Sequence, residues 1–129
     1  MPLEINEKES FLCQIGDEKI EVYFRRPSAK EMVKYLSKII SSESSEVALL
    51  AGIELAQACI LGVKEGDIFI EKQGKKIPLI TDPSKPNYEP KWKDIICEQA
   101  GAILLMLSSH ILELMRGELE AREKNSLKK

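Results

Sequence analysis

The chain opens with alternation. In "FLCQIGDEKIEVYFRR", residues 11–26, Phe11, Cys13 and Ile15 share one face. Gly16-Asp17 supplies a turn, and Ile20, Val22 and Phe24 resume the period of two. That pattern predicts a β-hairpin. Pro27 has no N–H to continue a ladder and disfavours helix at Arg26. Ser28 with Glu31 three residues on is a capping box, so a helix should start at about Ala29.

The period then changes. Met32, Val33, Leu36, Ile39 and Ile40 define one face of this first helix, and Lys30, Lys34 and Lys38 run up another. The serines of "SSESS", 41–45, break it and cap the next. The second helix, about Glu46 to Leu61, is apolar nearly all round, with Glu46, Glu54 and Gln57 on its polar stripe. Gly62 suits the position just past its end. "DIFIEKQGKKIPLIT" predicts a second hairpin turning near Gln73-Gly74, with Pro78 confining its second strand to an edge. The proline-rich stretch 82–90 is expected to be an extended connector. A long last helix should start at Pro90 or Lys91, its inner face traced by Trp92, Ile96, Gln99, Ile103, Met106, His110 and Leu114. Gly101 falls inside it, where glycine costs about 1 kcal/mol relative to alanine and permits close helix approach. The expected fold class is α+β, mainly helical: an N-terminal hairpin, central apolar helices, a second short hairpin and a long C-terminal helix. Residues 1–117 form one domain, and 118–129 a charged tail that frays, with Glu118–Arg122 and Glu120–Lys124 as i,i+4 pairs.

With 129 residues the chain is long enough to bury a core without metal or disulfide staples. Three Phe, three Tyr and one Trp leave that core to aliphatic side chains. A formal net charge of −2 gives no general attraction to nucleic acid or anionic lipid. Cys13, Cys59 and Cys97 are odd in number and widely spaced, and are expected to be reduced and apolar in role. "MPLEINEKES" has neither the basic start nor the apolar run of a signal peptide. "VALLAGIELAQACILGV" and "AGAILLMLSSHILELM" fall short of the roughly 20 apolar residues of a membrane span. A cytoplasmic protein without membrane association is expected.

Catalytic chemistry finds little support. The single histidine, His110, lies on the apolar side of a helix and suits a core position, hydrogen-bonded through one nitrogen. There is no phosphate-binding glycine loop, no GxSxG and no HExxH. Pairing His110 with Cys59 or Cys97 would require an electropositive, partly exposed thiol, and both cysteines lie among apolar residues. Neither enzymatic activity nor any metal or cofactor is expected.

Two surface features remain. Arg25, Arg26, Lys30, Lys34 and Lys38 could form a basic ridge for phosphates, the alternative reading being a small nucleic-acid-binding regulator. No aromatic residues are interleaved to stack bases, so nucleic-acid binding is the lesser expectation. The second feature is leucines out of place on polar stripes: Leu50 and Leu61 beside Glu54, and Leu105 and Leu112 beside Glu98 and Ser108-Ser109. These point to a contact patch for a protein partner or for homo-oligomerisation.

"EVYFRRPSAKEM" leads a strand through arginine, proline and a capping residue into a helix. In Val22, Phe24, Arg25, Arg26, Pro27, Ser28 and Glu31 it resembles the strand of the form v-x-l-R-x-P-T-x-x-E in tail assembly chaperones and related small tail-gene proteins of long-tailed phages and prophages. The pattern covers the first forty residues, and the rest agrees in length and helix order. The second hairpin and the proline-rich connector depart from the simplest members. The resemblance implies a protein without catalysis that keeps apolar helices of a tape-measure protein soluble and recruits tail-tube subunits. Arg25 and Arg26 would then steer an acidic partner.

Overall fold

A computed structural model of the chain describes residues 6–127, with side chains through Gly117. Strands β1 (Glu9–Ile15) and β2 (Glu18–Phe24) form the expected hairpin, in register from Glu9 opposite Phe24 to Ile15 opposite Glu18. Gly16 takes the left-handed conformation (φ 60°) that a two-residue hairpin turn demands. Helix α1 (Ala29–Ile40) follows with both arms of the capping box made. The Glu31 N–H donates to Ser28 Oγ (3.2 Å), and the Ser28 N–H donates to Glu31 Oε1 (2.9 Å).

Helix α2 (Ser45–Cys59) passes without a loop into β3 (Ile60–Val63), which pairs antiparallel with β2. The helix therefore ends two residues before the expected Leu61. Gly62 is a strand residue opposite Tyr23, not the residue that terminates a helix. Its missing Cβ is needed because Thr81 lies against it. The Thr81 hydroxyl accepts from the Val63 N–H (3.1 Å) and donates to the Val63 carbonyl (3.3 Å), closing the outer edge of β3. "ILGV" reads as the end of a helix because its apolar run continues that of α2. Only pairing with β2 makes it a strand.

The second hairpin, β4 (Phe69–Lys72) and β5 (Lys75–Pro78), forms as expected. Gln73 (φ 52°) and Gly74 (φ 76°) both adopt the left-handed conformation of a type I′ turn. Stretch 82–90 lacks regular structure but is not extended. Two turns, Lys85 N–H to Asp82 C=O and Tyr88 N–H to Lys85 C=O, fold it back so that the Glu89 N–H reaches the Ile80 carbonyl.

The last helix is two helices. α3 (Trp92–Gln99) ends at Ala100, and α4 (Gly101–Leu127) leaves at 96° to it. Gly101 sits at this bend, a usual place for glycine, and nothing approaches the position a Cβ would occupy there. The expected close approach is made instead by Gly52 of α2, where a Cβ would come within 2.5 Å of Ser108 Oγ on α4. The inner face shifts accordingly. Ile103, Leu104, Leu107 and Ile111 are fully buried, while Gln99 and Met106 are exposed. α4 is helical through Leu127, the last described residue, and the side chains of the expected Glu118–Arg122 and Glu120–Lys124 pairs lie outside the described residues.

The core lies between the inner face of the three-stranded sheet (Cys13, Ile20, Val22, Phe24, Ile60, Val63) and helices α2, α3 and α4. Among the described residues, no single helix is long and apolar enough to cross a membrane.

Candidate interaction surface

Arg25 is at the junction of three elements. Its guanidinium donates to both carboxylate oxygens of Glu31 at the start of α1 (2.7 and 2.9 Å) and to the Ala58 carbonyl near the end of α2 (2.9 Å). Its backbone N–H donates to the Cys59 carbonyl. A planar fork suits this task, binding a carboxylate bidentately while satisfying a helix C-terminal carbonyl. The Arg25 hydrogen bond and the Ser28 N–H hold the Glu31 carboxyl at about 2, below its ordinary 4.5. Arg26 bonds Glu9 on β1 through Nε (2.7 Å) and a terminal nitrogen (3.2 Å). Both arginines hold the fold together.

The lysine row is similarly engaged. Lys34 Nζ lies 3.3 Å from Glu54 of α2, and Lys38 pairs with the other oxygen of the same carboxylate. These lysine hydrogen bonds lower the Glu54 carboxyl below its ordinary value. The basic side of α1 thus faces the polar stripe of α2, and a small cleft between them is lined by Tyr35, Lys38, Glu54 and Leu55.

The apolar side of α1 consequently turns away from α2. No residue of α1 is buried. Val33 is 62% exposed, Leu36 46% and Ile40 84%, one stripe at helical spacing. Met32, on the flank of the stripe, lines a cavity of about 100 Å³ with Phe24, Ile111, Leu114 and Met115, so the stripe borders a gap between α1 and α4. Val47, Leu49 and Leu50 of α2 are exposed as well.

The four expected leucines do not behave alike. Leu50, Leu61 and Leu105 (45%) are exposed, but Leu112 is half-buried and packs on the core. They lie on three different elements, α2, β3 and α4. Val33, Leu36 and Ile40 instead share one face of a single helix, α1, read in the sequence only as a helix face. Its orientation was signalled by the opposite charges of the α1 lysine row and the α2 glutamate stripe.

The cysteines and histidine serve packing. Burial pushes the Cys59 thiol up to about 11 and raises that of Cys13, whose Sγ contacts Met106 Sδ at 3.1 Å. His110 stacks on Phe11 (4.5 Å between centroids) and meets Phe24 edge-on (5.5 Å), so ring contacts position it rather than the expected hydrogen bond. Among the described residues, no group of three or more His, Cys, Asp or Glu could hold a metal ion. The chain matches no protein-family model, no curated protein and no solved structure.

Proposed function

We propose that this chain is a non-enzymatic binding protein that takes an amphipathic helical segment of a protein partner against the outward stripe of α1. The observation that carries this reading is that a strongly amphipathic helix turns its apolar side to solvent, leaving Val33, Leu36 and Ile40 exposed. Spacing at i, i+3 and i+7 suits a helix lying alongside. Burying what these three partly exposed side chains still show to solvent contributes roughly 3–6 kcal/mol before the cost of association. Useful affinity therefore also requires Met32 and Ile39, which flank the stripe on the same helix. By its resemblance, the protein is a phage or prophage tail assembly protein of chaperone type, and the partner a tape-measure or tail-tube protein. The nucleic-acid alternative loses ground because Arg25, Arg26, Lys34 and Lys38 all make ion pairs within the fold.

The experiment is co-expression with a tape-measure-type protein of long apolar helices, scoring how much of that protein stays soluble. Val33→Asp with Ile40→Asp should abolish solubilisation without unfolding the chain, since both side chains are already solvated. Lys30→Glu with Lys34→Glu and Lys38→Glu should leave most of it intact. The reading is overturned if the aspartate variant solubilises as well as wild type, or if wild type binds DNA or RNA with a salt dependence that the lysine variant loses.

A further inference from the structure

The three-stranded sheet has the order β1-β2-β3, so β1 and β3 are its edges. The two edges are treated differently. β3 is short, and Thr81 takes both backbone groups of Val63. β1 is seven residues long, continuous in register with β2, and paired on one side only among the described residues.

Which backbone groups point outward follows from the turn. A two-residue hairpin makes Ile15 and Glu18 a hydrogen-bonded pair, and strict alternation gives Cys13, Phe11 and Glu9 the next bonds to β2. The far side of β2 agrees, with Glu21 and Arg25 bonding toward β3 and α2. Ser10, Leu12 and Gln14 therefore direct N–H and C=O groups away from the sheet. Native edges of this length are usually interrupted by a proline, a bulge or a central charge. Between Ser10 and Ile15 there is none of these, and Leu12 at the centre is 59% exposed.

We infer that β1 pairs antiparallel with β1 of a second copy of this chain, joining two sheets into one of six strands. A twofold axis at Leu12, the strand midpoint, aligns both strands over their whole length and makes Leu12 opposite Leu12 a hydrogen-bonded pair. Ser10 then faces Gln14 of the other copy, and Phe11 faces Cys13. The strand's only charge, Glu9, faces Ile15, so no like charges oppose one another. The helix side of the edge is apolar too. Phe11 and Ile15 are half-buried, and Met106, which touches Cys13, is partly exposed beside them. A second copy would cover all three. This contact uses β1 and none of the α1 stripe residues.

The test is sedimentation of the full chain from micromolar concentration to ~1 mM, since an edge contact is small and micromolar affinity is expected. Leu12→Pro removes an N–H that β2 does not use, and should weaken the dimer roughly 10- to 100-fold with circular dichroism unchanged. Leu12→Lys, which only alters an exposed side chain, should weaken it in the same direction. Hydrogen exchange should show the amides of Ser10, Leu12 and Gln14 gaining protection as concentration rises. Val33→Asp should leave the dimer as it is, which separates this contact from the docking stripe. A strict monomer at ~1 mM, a dimer indifferent to both Leu12 variants, or the same three amides protected in the monomer would each overturn the inference.

Discussion

Replacing Glu31 by Gln tests whether the Arg25–Glu31 junction holds α1 in place. In the native chain Oε1 accepts from Arg25 (2.7 Å) and from the Ser28 N–H (2.9 Å), while Oε2 accepts from the other arm of the Arg25 fork (2.9 Å). Glutamine keeps one acceptor and turns an NH₂ group toward the second arm, so the fork loses a bond and the pair loses its charge. Arg25 keeps the Ala58 carbonyl and is not orphaned. A carboxyl lowered from 4.5 to about 2 corresponds to ~3 kcal/mol at most. With a quarter of the Glu31 side chain and a third of Arg25 exposed, solvent screening reduces this to about 1–2 kcal/mol. That is a fall in melting temperature of roughly 5 °C. The sign of the pH dependence follows. A depressed carboxyl contributes stability that is full above its unfolded value of 4.5 and is lost as pH falls toward about 2. The assay is urea denaturation of wild type and Glu31→Gln from neutral pH to about pH 3. The difference between them should be constant above about pH 5.5 and shrink below it. A difference that ignores pH, or one below about 0.5 kcal/mol throughout, would refute the junction as a source of stability.

Thr81→Val should cost about 1–3 kcal/mol, because it strips a buried hydroxyl from both backbone groups of Val63; a variant as stable as wild type would mean that water reaches that edge. Leu104→Ala, at a fully buried position, should cost about 2–5 kcal/mol, and Leu105→Ala next to it less than about 0.5. Equal losses in thermal denaturation would place the α4 core face wrongly.

Local chemistry was legible in the sequence. Both hairpins, their turns, the capping box at Ser28 and Glu31 and the exclusion of regular structure from 82–90 depend on contacts within a few residues. Backbone geometry at glycine, proline and short polar side chains is enough to fix such features. The α+β class followed from adding them up. What needed the tertiary structure was every choice between two surfaces or two partners. The run through "ACILGV" is equally apolar as helix or strand, and only pairing with β2 decides it. The last helix bends at Ala100-Gly101, so the inner face traced on a straight helix drifts onto Gln99 and Met106. The face of α1 shows the same limit. An apolar stripe marks surface that gains from burial, not whether the chain's own core provides it. Here the lysine row meets Glu54 on α2 and the stripe is left to solvent. Arg25 and Arg26 were ambiguous for the same reason: an arginine at a strand end reads alike whether its carboxylate is on a partner or, as here, six residues on at Glu31 or across the hairpin at Glu9. Periodicity specifies what must be buried or paired, and packing alone specifies against what.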